Sequence, residues 1–162
     1  NEGGIYLDTD VRVIKSFEPY LDNHSFVGKE SLFLVSTAVL GAEKGASWLK
    51  DVLNYYEGRH FSLSPKVMKN NIMPRVIARV LHEKYNFQYY PVFQRLSNGM
   101  EVYPAEVFSS KVADGTPIKY STHLGANSWG FGGNSSRNKI RELLERLHLL
   151  GLTRKLRGIS EH

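Results

Sequence analysis

The chain opens with a short apolar run, Ile5-Tyr6-Leu7, which follows Gly3-Gly4 and stops at Asp8-Thr9-Asp10. An unbroken apolar run of this length predicts a buried strand. Val11, Val13 and Phe17 continue an apolar alternation, with Arg12 between the two valines, and Pro19 ends it. Residues 32–40, Leu-Phe-Leu-Val-Ser-Thr-Ala-Val-Leu, predict a second buried strand. Gly41-Ala42-Glu43 leads into a predicted helix over about 43–57, where Trp48, Leu49, Val52, Leu53 and Tyr56 recur at helical spacing. Pro74 suits the first turn of the next helix, whose buried stripe is Val76, Ile77, Val80 and Leu81. Residues 87–94 and 101–108 predict short strands around the Asn98-Gly99 turn.

Residues 111–134 are rich in Gly, Ser, Thr and Asn, and form the longest loop-like stretch. Long loops are often functional. A last helix is expected from Ser135 or Ser136, with Ile140, Leu143, Leu144, Leu147 and Leu150 on one face and Gly151 at its end. Strands mixed with helices predict an α/β fold. The 162 residues fit one domain, and neither an internal repeat nor a low-complexity segment divides them.

Composition narrows the function classes. Hydrophobic residues make up 41% and charged residues 23%, an ordinary globular balance. No apolar run approaches the roughly 18 residues that a membrane-spanning helix needs. With no cysteine, disulfides and thiolate metal sites are excluded, which points to a reducing, cytoplasmic setting. The net charge is +5, and residues 137–157 account for all of it. Seven basic groups stand there (Arg137, Lys139, Arg141, Arg146, Arg154, Lys155, Arg157) against Glu142 and Glu145, and seven minus two is five. A nucleic-acid binder would spread its basic residues more widely and interleave aromatics, so no nucleic-acid partner is expected. A basic helix with one leucine-rich face suits peripheral contact with an anionic membrane, or simply packing on its own domain.

Asp8-Thr9-Asp10 is the candidate chemistry. Carboxylates two apart on an extended chain point to the same side, so Asp8 and Asp10 can face one ion while Thr9 points away. Hard oxygen ligands suit Mn²⁺ or Mg²⁺. The same carboxylates at a strand end also commonly cap a turn. His123 sits in the long loop, and imidazole is an acceptable Mn²⁺ ligand beside carboxylates. His24, His60, His82, His148 and His162 are read as surface or helix histidines. Tyr6 and Trp48 are read as core rather than as sugar platforms, and Asn127 and Asn134 as turn residues.

Gly3-Gly4-Ile5-Tyr6-Leu7-Asp8-Thr9-Asp10-Val11 resembles the signature of the family 32 glycosyltransferases, the capsular-polysaccharide group. Val13-Ile14-Lys15-Ser16-Phe17, Leu40-Gly41-Ala42-Glu43-Lys44-Gly45, and Ser121-Thr122-His123 with Ser128-Trp129 resemble further stretches of that family in the same order. The resemblance spans about residues 1–130. The sequence departs from the family pattern at Leu124, where a second His is frequent, at Ile72-Met73-Pro74 in place of Thr-Gly-Pro, and at Ser36 in place of Asn.

The resemblance implies a GT-A-type fold, a mixed sheet flanked by helices, of which residues 1–162 are the C-terminal portion of the catalytic domain. The front nucleotide-binding half is expected upstream of this sequence. It implies a metal bound by Asp8, Asp10 and His123, with Ser128 and Trp129 beside the donor. It also implies transfer of a hexose, with retention, from a UDP-sugar or GDP-mannose to a glycan or lipid-linked acceptor in bacterial polysaccharide biosynthesis. No catalytic nucleophile is assigned. The alternative expectations are a non-catalytic carbohydrate-binding or assembly module that keeps the fold, and a metal-dependent hydrolase using the same three side chains.

Overall fold

A five-stranded mixed sheet in the order β1-β4-β3-β6-β5 organises the computed structural model, which describes residues 2–60, 62, 64–108 and 115–124. The described residues fall in one compact unit, Asn1–Gly125; the second unit, Ala126–His162, lies outside them. The predicted last helix and the basic segment 137–157 therefore lie outside the described residues, as do Asn127, Ser128, Trp129 and Asn134.

The strands are β1 (Gly4–Leu7), β2 (Val11–Val13), β3 (Ser25–Ser31), β4 (Leu34–Ala42), β5 (Gln94–Arg95), β6 (Glu101–Tyr103) and β7 (Ser121–His123). The helices are α1 (Ser47–Tyr56), α2 (Pro65–Asn71), α3 (Met73–Tyr85) and α4 (Ala105–Phe108), with a short 3-10 helix at Glu18–Tyr20. In the main sheet β3 pairs β4 antiparallel and β6 parallel, while β1 and β5 are antiparallel edges. A separate two-stranded sheet joins β2 to β7. The molecule is thus mixed α/β with a mixed sheet flanked by helices, as expected. None of the described helices is long and apolar enough to cross a membrane.

Each face of the sheet buries its own core. On one face, Val27, Val35 and Val102 pack with Trp48 and Val52 of α1 and with Val76, Ile77, Val80 and Leu81 of α3. The stripe predicted for α3 is buried in full, and Asn86 closes that helix in the left-handed conformation. On the other face, Phe26 and Val39 meet Tyr20, Val107 and Phe108, with Ile5, Val11, Phe17 and Tyr120 packed around them. Adjacent residues Phe26 and Val27 go to opposite cores, as the pleat of a strand requires. Gly41 lets the Phe26 ring lie flat on β4, because a Cβ there would stand 2.1 Å from Phe26 Cε1.

Several expectations are corrected. The run Ile5-Tyr6-Leu7 is a strand but not a buried one: β1 is an edge, and Tyr6 and Leu7 are 55% and 37% exposed. Only Ile5 turns into a core, so the run is apolar without being enclosed. Tyr6 is accordingly not a core residue, whereas Trp48 is, with its indole N–H donated to Ser25 Oγ at 3.0 Å. On α1 only Trp48 and Val52 of the expected stripe are fully buried, and Leu49 and Leu53 face out. That helix starts at Ser47, after a turn in which Gly45 takes a positive φ.

Residues 87–93 form no strand. Pro91 lacks the N–H that a ladder needs, and β5 is confined to Gln94–Arg95. Residues 105–108 are helical, following Pro104. The strand β3 was not foreseen, because Gly28, Lys29 and Glu30 interrupt its apolar pattern.

Candidate metal centre

The chain leaves β1 at Leu7 and re-enters sheet structure at Val11, in the other sheet. Asp8, Thr9 and Asp10 make the switch. The N–H of Val11 donates to the carbonyl of Asp8 at 3.0 Å, so these residues form a tight turn rather than the extended segment from which their same-side geometry was expected. The N–H of Asp8 donates to the carbonyl of Ala38 at 2.9 Å, which ties the turn to the middle of β4. There the register of β3 on β4 shifts between Val27 and Lys29, and the buried Ser36 hydroxyl accepts from the N–H of Ala38. Such an irregularity re-aims the carbonyls beside it.

The sequence-distant member arrives on β7. Val11 pairs with His123 across the small sheet, and the N–H of Leu124 donates to the carbonyl of Asp10 at 2.9 Å. β7 is itself anchored from below. The fully buried Ser121 donates its hydroxyl to the carbonyl of Phe108, and the N–H groups of Lys119 and Tyr120 donate to the carbonyls of Glu106 and Val107. Ile14 and Lys15 donate to the carbonyl of Tyr120, extending the hold of the β2 side on this strand. Rings of Tyr20, Phe26, Phe108 and Tyr120 pack edge-on or tilted beneath it.

The outcome is a cluster of three groups. His123 Nε2 lies 3.1 Å from Asp10 Oδ1 and 4.0 Å from Asp8 Oδ2, and the candidate ligand atoms all lie within 4.8 Å of one another. The side chains are between 25% and 32% exposed, so the cluster opens to solvent on a partly buried base. Ligands held about 2.1 Å from one cation stand about 3.0 Å apart when adjacent and about 4.2 Å apart when opposite. The two distances fall in that range, and two carboxylates with one imidazole are a donor set acceptable to Mn²⁺. The same distances also serve a plain ion pair between a protonated His123 and the aspartates.

Tyr6 belongs to this site, which sequence reasoning missed. Its hydroxyl donates to Asp8 Oδ1 at 2.7 Å. That bond raises the pKa of the phenol, and burial and the nearby negative charge of Asp8 add to the rise. The signal was available: residues 6 and 8 are alternate positions, and alternate positions on a strand share a side.

Among the described residues the other histidines stay outside the cluster, while His148 and His162 lie outside the described residues. His24 pairs with Glu43 on the surface, which raises its pKa, His60 is exposed, and His82 Nδ1 bonds the carbonyl of Phe87 at 2.6 Å. A second polar group forms around the buried Glu101, whose carboxylate accepts from Arg95, Asn23 and Tyr103. Its acceptors are satisfied internally, which makes it structural. Neither a scan against protein-family models nor searches of curated proteins and of solved structures find a match to this chain.

Proposed function

We propose that this chain is the catalytic, metal-binding part of a glycosyltransferase with a GT-A-type fold, which moves a hexose from a nucleotide-sugar donor to a glycan or lipid-linked acceptor. One observation carries the reading. The Asp-x-Asp turn and His123, far apart in sequence, meet with their ligand atoms within 4.8 Å, the grouping that the resemblance to the family 32 enzymes implies.

In this reading Asp8 and Asp10 offer carboxylate oxygens and His123 offers Nε2 to Mn²⁺ or Mg²⁺. The ion, when bound, acts as a Lewis acid that offsets the negative charge growing on the departing diphosphate. The protein's own part is positioning. The Val11–Asp8 turn holds the two carboxylates side by side, and the Val11–His123 pairing sets the imidazole against them. All three side chains are partly exposed, so the cluster is reachable from solvent. Ser128 and Trp129, outside the described residues, are assigned to the donor side by resemblance alone. UDP-hexose and GDP-mannose are the donors to try, with retention of configuration and a place in polysaccharide biosynthesis.

The test is release of nucleoside diphosphate by the intact protein from these donors, with Mn²⁺ or Mg²⁺ and then with excess chelator. Metal-dependent release with the sugar passed to a sugar acceptor supports the reading. Delivery of the sugar to water alone, whatever acceptor is offered, replaces it with a metal-dependent hydrolase. Absence of turnover with every donor leaves the non-catalytic module in its place.

A further inference from the structure

The two oxygens of Asp8 have different neighbours. Oδ1 accepts the hydroxyl of Tyr6 at 2.7 Å, while Oδ2 stands 4.0 Å from His123 Nε2 on the side where the three groups converge. Tyr6 itself is 55% exposed, so its ring adds little to either core. Its backbone, by contrast, is held in the β1–β4 ladder opposite Leu40. A phenol on a fixed strand position thus grips one oxygen of a carboxylate at the first position of the following turn.

We infer that Tyr6 is a positioning residue that favours one-oxygen ligation by Asp8 and thereby biases the site towards a small divalent cation. The inference rests on the metal-site reading above. A carboxylate free to rotate can present both oxygens to one ion. Ca²⁺ accepts such two-oxygen ligands at 2.3–2.6 Å with high coordination numbers, whereas Mg²⁺ demands near-octahedral geometry at 2.0–2.1 Å. With one lone pair of Oδ1 taken up by the Tyr6 hydroxyl, that oxygen competes less well as a second ligand, and the torsion that aims Oδ2 is restrained. Partners that orient a ligand from outside the coordination sphere commonly change metal affinity by 10–100-fold when removed. Tyr6 is partly solvated, so the lower end of that range applies.

Tyr6→Phe tests this by deleting only the hydroxyl from an exposed ring. Mn²⁺ and Ca²⁺ affinities are measured on the intact protein by electron paramagnetic resonance and calorimetry, beside thermal unfolding. The expected result is an Mn²⁺ dissociation constant about tenfold higher, a smaller change for Ca²⁺, and an unchanged melting temperature. In an Asp8→Ala background, Tyr6→Phe should have no further effect. Wild-type Mn²⁺ affinity together with a wild-type Mn²⁺-to-Ca²⁺ preference in Tyr6→Phe overturns the inference. So does an equal loss in both backgrounds, since Tyr6 would then act without Asp8. If the wild-type protein itself binds neither ion, the metal-site reading fails first, and the two failures are told apart.

Discussion

Val11 stands opposite His123 in the β2–β7 ladder, and this pairing carries a histidine from late in the chain to the aspartates near its start. The Asp-x-Asp turn occupies the short link between two sheets, and the second strand of the small sheet returns beside it. The packing that fixes β7, from the Ser121 hydroxyl to the ring cluster under Tyr120, therefore also fixes the geometry of the site.

The contact between Gly41 and Phe26 predicts a stability defect in the ring packing beneath β7. A Cβ at residue 41 would meet the Phe26 ring at 2.1–2.6 Å, and that ring is buried among Tyr20 and Phe108. Gly41→Ala should destabilise the protein by about 2–3 kcal/mol, as overpacked cores do. Adding Phe26→Leu should recover part of the loss, giving a non-additive pair in chemical denaturation. Simple additivity would show that the ring moves aside freely.

Lys29 predicts an unusual pH dependence. It is 2% exposed, lies over the Phe87 ring and donates to the carbonyl of Tyr90, and burial pushes its pKa down to about 8. An unfolded lysine titrates near 10.4. Between pH 8 and about 10 the unfolded chain therefore holds a proton that the folded chain has released, so stability rises with pH, by about 3 kcal/mol in all. Above pH 10 the sign reverses. Burial, with a hydrogen bond to Glu101, raises Tyr103 to about 12, and burial likewise raises Tyr20, so the folded state keeps protons that the unfolded state loses. Urea midpoints should climb from pH 7.5 to 9.5 in the wild type and stay level in Lys29→Met. A level wild-type profile would contradict a desolvated ammonium at this position.

Lys29 also marks where the sequence stopped being legible. A lysine between Gly28 and Glu30 reads as surface, yet it lies inside β3, because its stem packs and its head finds a carbonyl and a ring. The register shift in β4 was equally hidden, since Ser36 satisfies it with a local bond to Ala38. The α3 stripe was legible because four apolar side chains at helical spacing have only one face to bury. The Asp-x-Asp pair and His123 were legible through their residue types and the resemblance, but the reason they meet was not. That reason is a turn and a strand pairing with no periodic signature. Exposure of β1 was misread for a related reason: an apolar run reports transfer preference, not whether a neighbour covers it.

The basic stretch 137–157 sets packing on its own domain against a salt-sensitive membrane contact, and vesicle binding decides between them. Its seven basic groups hold the whole charge excess, and cations near an anionic surface contribute about 1 kcal/mol each. The intact protein should sediment with anionic vesicles at low salt and be released by added salt. Reversing the charges of Arg154, Lys155 and Arg157 should release it as well. Protein that stays in solution with such vesicles at low salt would remove the membrane role.

The most direct measurement is a Mn²⁺ titration of the intact protein followed by electron paramagnetic resonance, in the wild type, Asp10→Ala and His123→Ala. A metal centre built from Asp8, Asp10 and His123 predicts one bound ion per chain in the wild type. It also predicts at least a tenfold loss of affinity in each variant, with the fold retained because all three side chains are partly exposed. Undiminished Mn²⁺ affinity in both variants, or no bound Mn²⁺ in the wild type, would contradict it and leave the cluster a simple ion pair.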